Sequence, residues 1–450
     1  MLRTTESDAL HRLTRKGLHD RMQLQDKSLR RSSVALSVSF TTAGLLAYVL
    51  MAVAKRSMSP GDFSNFSVFW SFGFFLTASV GSPIEQELTR SVSYREAHGQ
   101  RFDDVVRSAV ALAAVLAGVA VLFAVGAGMS GVLKGFQFNT AAAAALVLLI
   151  AGEAMTSIIR GVLSGTRSTS ALAGLVAGQS ALRTALVIGA VAINADGGFA
   201  ALAVAVSSLT CVVFLRRAWR MRTQDRAPAD TSGLSRGGIL RLVVASPFSA
   251  VFSVGTPALA SLVAARSERA IIGDVFAALS LTSAPVLVAA ALQTALLPAL
   301  VRSLLEGGPE ALHRTTRTII TVVIGLSGVA ATVTAVVGPM LLRLLFGPTP
   351  GVGRLPLAAM TFAAGLLFLT NLLAPVCIAR RSHGAVTRAW ASGAITMVCL
   401  MLIPGQLANR VAIALLGGAC VVSGSLVVSL RAVWRPSATV DPGTKSAIIS

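Results

Sequence analysis

The sequence predicts an all-α, polytopic membrane protein with about twelve transmembrane helices in two parallel six-helix repeats around a central cavity. Three observations lead to this fold class: an apolar composition, apolar runs along the whole chain, and a similarity between its two halves. Of 450 residues, 54% are hydrophobic and 13% are charged, and the mean hydropathy is +0.74. Because soluble domains carry about 25% charged residues, a soluble globular protein is excluded.

The apolar runs divide the chain into twelve predicted spans. Each is close to the length of about 20 residues that an α-helix needs to cross a bilayer. The connections are short, so no loop is long enough to fold as a catalytic domain, and we expect a protein that is not an enzyme. The spans cover residues 33–54, 62–84, 105–128, 140–162, 170–192, 198–218, 239–264, 273–300, 317–342, 355–378, 384–405 and 410–430.

The basic residues indicate the orientation of these spans. With twelve spans both termini lie on one side, and that side holds 30 of the 39 Lys and Arg residues, against 8 on the other. Cytoplasmic loops carry an excess of Lys and Arg, so we expect both termini to be cytoplasmic in a bacterial plasma (inner) membrane. The formal charge of +20 is then a topology signal and a contact with membrane lipids, and we expect no nucleic acid partner.

The predicted organisation has five parts, and the two largest resemble each other. Residues 61–91 align without gaps on residues 273–303, at a constant offset of 212 that pairs Asp62 with Asp274. Transporters with parallel repeats bind their substrate between the halves and rock them to alternate access. The parts are a cytoplasmic arm (1–32), an N-terminal six-helix half (33–219), a cytoplasmic linker (220–238), a C-terminal six-helix half (239–432) and a cytoplasmic tail (433–450).

The sequence has neither the spacing of cysteine and histidine residues that is typical of metal sites nor a nucleotide-binding motif. The four cysteines lie inside apolar runs without metal-ligand spacing, and the five histidines lie in polar segments. The chain has no G-x-x-x-x-G-K-[ST] sequence, which binds ATP phosphates. We therefore expect no metal site and no cofactor, with energy supplied by an ion gradient or by substrate imbalance.

Three stretches carry a resemblance to a known family. Span 2 begins SMSPGDFSNFSVFWS and ends PIEQELTR, span 8 begins GDVFAALSLTSAP and ends LLPALVR, and span 9 ends PMLLRLLFGPTP. This arrangement resembles the polysaccharide flippases of the multidrug/oligosaccharidyl-lipid/polysaccharide exporter superfamily, over roughly residues 33–430. The resemblance implies alternating-access translocation of a polyprenyl-pyrophosphate-linked oligosaccharide from the inner to the outer leaflet, for surface polysaccharide biosynthesis. It implies as partners the lipid-linked glycan and the polysaccharide polymerase and glycosyltransferases of the same pathway.

Two other functions stay open at this point. One is an ion-coupled small-molecule or multidrug exporter, although span 1 contains none of the acidic residues that many cation-coupled members of the superfamily carry there. The other, from a different class, is a non-transport membrane subunit or enzyme of a glycan assembly complex. An enzyme should show clustered acids or histidines at one membrane face, and the sequence shows no such cluster.

Two ionisable residues, Glu153 in span 4 and Arg183 in span 5, lie in the middle of the predicted membrane region. A charge at this depth costs about 2.5–3.5 kcal/mol, so it usually faces a cavity or a partner. With Arg160 and Gln179 at helical spacing, they form a predicted substrate-binding track. Arg183 is expected to hold the pyrophosphate, because a guanidinium donates two parallel hydrogen bonds, and Glu153 to gate it. The alternative is an ion pair that only locks two helices.

Span 7 carries a polar stripe in which Ser249 and Ser253 are further candidates for substrate binding. Their hydroxyl groups are suited to hydrogen-bonding sugars in a wet cavity. Small hydroxyl residues equally allow membrane helices to pack closely, and the sequence does not choose between these roles.

The stretch PIEQELTR at residues 83–90 places charges where span 2 is expected to end. Glu87 and Arg90 are three residues apart, which allows an ion pair on a helix, and Arg302 is the repeat counterpart of Arg90. The stretch is either a solvated helix end with a salt bridge or a cytoplasmic gate. The predicted gate residues are Glu85, Glu87, Arg90 and Arg302.

Overall fold

The computed structural model describes residues 34–131, 139–193, 197–222, 236–283, 308–349, 351–379 and 383–434. In these ranges the protein is all-helical, and eleven helices are long and apolar enough to cross a membrane. The helices are α1 (Val34–Ser57), α2 (Pro60–Ala97), α3 (Asp103–Met129), α4 (Thr140–Gly165), α5 (Thr169–Ala192), α6 (Gly197–Ser207, a 3-10 turn Ser208–Thr210 and Cys211–Arg222), α7 (Arg236–Ala250, a π-helical segment Val251–Gly255 and Thr256–Val263), α8 (Ile271–Ser283), α9 (Gly308–Phe346), α10 (Arg354–Ala379), α11 (His383–Met401) and α12 (Leu407–Trp434).

Each of the twelve predicted spans thus contains a helix, and the all-α fold class is confirmed. The predicted arm (1–32), most of the linker and nearly all of the tail lie outside the described residues, so their bounds stay predictions. In span 8 the structure describes the part up to Ser283. We call the end of the bundle with the α1–α2 and α7–α8 connections the α1–α2 end, and the opposite end the α2–α3 end.

The helix α2 is 38 residues long and extends beyond its predicted end at residue 84. Ser59 caps its start, because its hydroxyl accepts a hydrogen bond from the amide of Asp62 at 3.1 Å. Pro60 follows at the first helical position, where the missing N–H has no cost. At the far end Arg95 is buried and forms an ion pair with Asp104 of α3. The stretch PIEQELTR therefore lies inside a continuous helix.

The helix α7 is interrupted in its middle, as its prolines lead one to expect. Residues Val251–Gly255 form a π-helical segment, and Pro257 begins the regular helix that follows. Pro257 has no amide hydrogen, so it cannot donate a hydrogen bond to the preceding turn. In that turn the carbonyl of Val251 accepts a hydrogen bond from Thr256 Oγ1 at 3.0 Å. Such irregular turns are common at functional sites, and this one lies beside the central cavity described below.

The contacts between helices repeat in the two halves. In the first half α4 packs against both α3 and α6, and in the second half α10 packs against both α9 and α12. Likewise α5 packs against α6, and α11 packs against α12. These are the pairs that the predicted two-repeat arrangement requires, because α3, α4, α5 and α6 correspond to α9, α10, α11 and α12.

The centre of the first half is the tight contact between α2 and α4. Glycines of α4 allow the two backbones to approach, since an added Cβ on Gly165 would lie 2.6 Å from the Cβ of Val92. Gly161 packs in the same way against Leu88. In an apolar 18-residue segment of each helix, 67% of the residues are buried in α2 and in α4, whereas only 11% are buried in α1 and in α9. Helices α2 and α4 are therefore central, whereas α1 and α9 offer their apolar side chains to lipid.

Candidate functional site

A cavity of about 650 Å³ lies between the two halves. Helices α1 and α2 form one wall, and helices α7, α8, α10, α11 and α12 form the remainder. Along α2 the lining extends from Trp70 to Gln86, which is roughly 24 Å at a rise of 1.5 Å per residue. The cavity thus runs from the middle of the bundle towards the α2–α3 end, where Gln86 is exposed.

The described lining of this cavity is aromatic and polar but uncharged. It contains no Asp, Glu, Lys, Arg or His side chain among the residues that the structure describes. The aromatic lining residues are Tyr48, Trp70, Phe252, Phe276 and Trp390. The hydroxyl and amide lining residues are Ser82, Gln86, Ser249, Ser253, Thr256, Ser280, Thr282, Ser283 and Asn371.

The two halves are bonded to each other at the α1–α2 end. Lys55 of α1 donates to Asp274 of α8 with an Nζ–Oδ1 distance of 2.7 Å, and each side chain is only 8% exposed. The Lys55 ammonium also lies 5.1 Å from the ring centroid of Phe63, a cation–π contact. Because this ion pair joins helices from different halves, it holds the cavity closed at this end.

Further bonds reinforce the same closure. Arg56 Nε donates to the carbonyl of Leu345 at 3.0 Å, and its Nη2 to the carbonyl of Leu344, both at the end of α9. Ser64 Oγ donates to the carbonyl of Arg269 at 2.7 Å. With the Lys55–Asp274 pair, these contacts join the first half to the end of α9, to the α7–α8 connection and to α8. The α1–α2 end is therefore closed by a network rather than by one pair.

Four of the residues predicted to bind substrate, Glu153, Arg160, Gln179 and Arg183, form one hydrogen-bonded cluster inside the first half. Glu153 Oε1 accepts from Arg183 Nη2 at 2.7 Å and from Gln179 Nε2 at 2.8 Å. Gln179 Oε1 accepts in turn from Arg160 Nη2 at 2.9 Å. The expected Glu153–Arg183 pair is therefore present. Glu153 and Gln179 are buried, and the Arg183 side chain is 14% exposed.

The guanidinium of Arg183 is enclosed on several sides. Its Nε donates to Ser207 Oγ at 3.0 Å. Its central carbon lies 5.7 Å from the Trp70 ring centroid and 4.8 Å from that of Phe74. Arg183 is therefore not among the residues that line the cavity, and Trp70, which does line it, lies between the cavity and the cluster. The structure brings the four cluster residues together and places Ser249 and Ser253 apart from them.

The predicted gate residues of PIEQELTR point in different directions. Glu87 is buried and accepts from Arg90, with an Nε–Oε2 distance of 3.0 Å, so the predicted ion pair is confirmed. Glu85 lies within electrostatic reach of Arg160 and Glu153 and thus borders the cluster. Gln86, between the two acids, is the residue of this group that lines the cavity. Arg302 lies outside the described residues.

Two serines of α7 line the cavity, and sequence reasoning missed other residues there. Ser249 and Ser253 line it, and each hydroxyl also donates to a carbonyl of its own helix. Sequence reasoning missed Trp70, Trp390 and Asn371, since an aromatic or an amide in a long apolar run has no motif. The signal that was available is Asn371 itself, because a carboxamide inside an otherwise apolar span is costly unless it faces a cavity or a partner.

Comparisons with known proteins bear on the fold. No protein-family model matches the chain. The uncharacterized protein Rv3630 of Mycobacterium tuberculosis (strain ATCC 25618 / H37Rv) is 27% identical over 414 residues, covering 90% of this chain and 92% of the relative. The uncharacterized protein Rv1510 of the same strain is 27% identical over 420 residues, covering 87% of this chain and 89% of the relative.

Several solved structures share the fold over nearly the whole chain. The inward-facing conformation of a multidrug resistance MATE family transporter of the MOP superfamily has a TM-score of 0.63 at 15% identity, covering 90% of this chain and 99% of that one. The outward-facing conformation of a multidrug resistance MATE family transporter of the MOP superfamily has a TM-score of 0.54 at 16% identity, covering 90% of this chain and 95% of that one. A MOP superfamily transporter from Pyrococcus furiosus, whose binding pocket is described as having reversed polarity, gives 0.53 at 14% identity, also covering 90% and 95%.

These likenesses establish the architecture of the chain. It has the fold of MATE transporters of the MOP superfamily, and it is a multi-pass membrane protein. This fold agrees with the resemblance seen in the sequence. The superfamily, its polysaccharide flippase branch, the cargo and the membrane orientation stay predictions.

Proposed function

We propose that this protein translocates a polyprenyl-pyrophosphate-linked oligosaccharide from the inner to the outer leaflet of a bacterial plasma membrane by alternating access. The observation that carries the proposal is the cavity between the halves, closed at the α1–α2 end and continuing to the exposed Gln86 near the α2–α3 end. Parallel-repeat transporters hold their substrate in this position. The predicted orientation makes the α2–α3 end cytoplasmic, so the cavity is placed to receive a cargo made in the cytoplasm.

The closure explains how access would alternate. Opening the α1–α2 end requires the Lys55–Asp274 pair and the bonds from Arg56 to α9 to break. The cavity must then close at the α2–α3 end. Helices α2 and α7 already meet near the middle of α2, where Ser246 Oγ donates to the carbonyl of Ala78 at 3.1 Å. The π-helical segment of α7, between these two regions, is suited to absorb the bend.

The cluster in the first half supplies the charge for the anionic part of the cargo. Arg183 is paired with Glu153 in this conformation, so binding a pyrophosphate requires Glu153 to release it. Loss of the Glu153 charge, by protonation or by displacement, would free the guanidinium for two parallel hydrogen bonds to phosphate oxygens. Glu85, Glu87 and Arg90 lie nearer the α2–α3 end, and their gating role remains part of the proposal.

A multidrug exporter is the second candidate, because the solved relatives are described as multidrug resistance transporters. The uncharged described lining weighs against cationic drugs, since a buried cation is stabilised by an opposite charge. A non-transport subunit of a glycan assembly complex is the candidate from another class. Such a subunit would tolerate the loss of both the Glu153 and Arg183 charges.

The test is to delete the gene and analyse the polyprenyl-linked lipids of the source bacterium by mass spectrometry. We expect a complete lipid-linked oligosaccharide to accumulate and the mature surface polymer to be lost, with both reversed by the wild-type gene on a plasmid. An unchanged lipid pool, together with increased sensitivity to drugs, would favour the exporter. Accumulation of an incomplete oligosaccharide would instead favour an assembly subunit.

A further inference from the structure

We propose that the central cavity selects an uncharged glycan, with Trp70 as a stacking surface and Asn371 as the residue that determines sugar specificity. This inference rests on the proposed function and adds the chemical class of the cargo's sugar part. It concerns only the sugar part, which lies in the cavity.

The charge of the cavity wall is the first argument. None of the described lining residues carries a charge at neutral pH, and the Tyr48 hydroxyl donates to the carbonyl of Ser280. Beyond the lining, Lys55 is paired with Asp274 and Arg183 with Glu153, and a third cation, Arg160, is bonded to Gln179. A sugar carboxylate moved from water into this cavity would lose hydration without gaining a charged partner among the described lining residues, which is strongly unfavourable. A neutral sugar has no such cost.

The aromatic wall is the second argument. A sugar ring presents a face of C–H groups, and these positively polarised hydrogens are attracted to the negative face of an aromatic ring. Trp70 is held in place from the side of the first half, by the Arg183 guanidinium at 5.7 Å and by Phe74 with ring centroids 4.7 Å apart. Its position is therefore fixed before a ligand arrives, and its remaining surface forms part of the cavity wall.

The hydrogen-bonding groups of the lining are the third argument, because they are not equally available. The hydroxyls of Ser253, Thr282 and Ser283 donate to carbonyls of their own helices, and Gln86 Nε2 donates to Ser82. Asn371 of α10 is exposed in the cavity, and its carboxamide is not hydrogen-bonded to any residue that the structure describes. It offers two donors and one acceptor, which match neighbouring sugar hydroxyls.

A site built to bond a hydroxyl discriminates strongly against a cargo that lacks it, because the polar group of the site is then left unpaired. Asn371 is therefore the residue at which a preference among neutral sugars would be set. The cavity volume of about 650 Å³ is in the range of pockets that enclose a ligand.

The test uses the lipid extract of the deletion strain and a set of plasmid-borne variants of the full chain. The accumulated oligosaccharide is expected to contain only uncharged sugars by mass spectrometry. Asn371→Leu, which has a similar volume but no amide, should clear this lipid at least about tenfold more slowly than wild type, the effect of one lost hydrogen bond that leaves its partner unpaired. Asn371→Gln should restore part of the rate.

The matched control is Asn409→Leu, at an exposed asparagine of α12 outside the cavity, which should clear the lipid at the wild-type rate. Membrane levels of all variants are compared by immunoblot, and a folded, abundant Asn371→Leu protein is required for the comparison. If that protein is not abundant, the glycan composition and the Asn371→Gln rate decide the question. Accumulation of an oligosaccharide rich in uronic acids, or wild-type clearance by Asn371→Leu, would overturn the inference and leave the proposed function intact. No accumulation at all would overturn both.

Discussion

Glu153 and Arg183 are the residues on which a structural and a functional interpretation differ most clearly. They form a buried ion pair at 2.7 Å. Gln179 donates a further hydrogen bond to Glu153, and Arg183 donates one to Ser207. Each role predicts the same result for a single substitution, because an unpaired buried charge destabilises the fold. The double substitution separates the two roles.

We expect Glu153→Gln alone to lower the stability of the protein by about 3–5 kcal/mol, since Arg183 would remain as a buried charge without a partner. The pair Glu153→Leu with Arg183→Met removes both charges and should recover most of that stability. Thermal unfolding in detergent measures the stability, and clearance of the accumulated lipid measures transport. A stable double variant that cannot clear the lipid supports a role in cargo binding. Normal clearance by that variant would mean that the pair only locks two helices.

At the scale of helices, the packing of α4 against its neighbours depends on glycines. An added Cβ on Gly152 would lie 1.9 Å from Ser208 Oγ and 2.7 Å from Ser208 Cβ of α6. Such overlap forces the helices apart. We expect Gly152→Ala to lower stability by about 1–3 kcal/mol, as measured by thermal unfolding in detergent.

Gly118 of α3 is the matched control for this substitution, because nothing lies within 4 Å of its added Cβ. Gly118→Ala should leave the unfolding temperature unchanged or slightly raised, since alanine is the better helix former. An unchanged unfolding temperature in Gly152→Ala would show that α4 and α6 are farther apart than the structure places them.

The closure at the α1–α2 end makes a prediction about access to the cavity. Lys55→Met leaves Asp274 without its partner in the closed state, which should shift the balance towards opening by roughly 1–3 kcal/mol, or about 5- to 150-fold. The measurement is labelling of Ser253→Cys in intact cells with a membrane-impermeant thiol reagent. The exposed Cys399 and Cys420 are first replaced by alanine.

Two comparisons make this measurement decisive. Arg343→Met removes another basic residue near the same end, whose guanidinium makes no ion pair among the described residues, and should leave labelling at the Ser253→Cys baseline. The exchange of Lys55→Asp with Asp274→Lys restores opposite charges and should reduce labelling again. Unchanged labelling in Lys55→Met would show that the pair does not control access.

At the scale of the whole molecule, the sequence predicts the architecture well because the bilayer restricts it. Apolar runs of sufficient length must become helices, and a helix is present in each of the twelve predicted spans. The Glu153–Arg183 and Glu87–Arg90 pairs were also predictable, since a charge inside a span needs a partner and a three-residue spacing on a helix supplies one.

The parts that could not be predicted depend on the relative position of the two halves. Lys55 and Asp274 are 219 residues apart, and nothing in the local sequence of either residue reveals the other. The continuation of α2 beyond PIEQELTR to Ala97 was not predicted, because hydropathy falls there and the Arg95–Asp104 ion pair with α3 has no local sequence signal. Trp70, Trp390 and Asn371 form one cavity only after both halves have folded and packed.

The central claim is that this chain moves a lipid-linked oligosaccharide across a bilayer, and reconstitution tests it most directly. The purified protein is placed in liposomes with the lipid recovered from the deletion strain, and an impermeant glycan hydrolase is added outside. We expect wild-type protein to make the glycans of the inner leaflet accessible, whereas protein-free liposomes keep them protected. Equal protection in both, with wild-type protein shown to be folded by its unfolding temperature, would mean that the chain does not translocate this lipid.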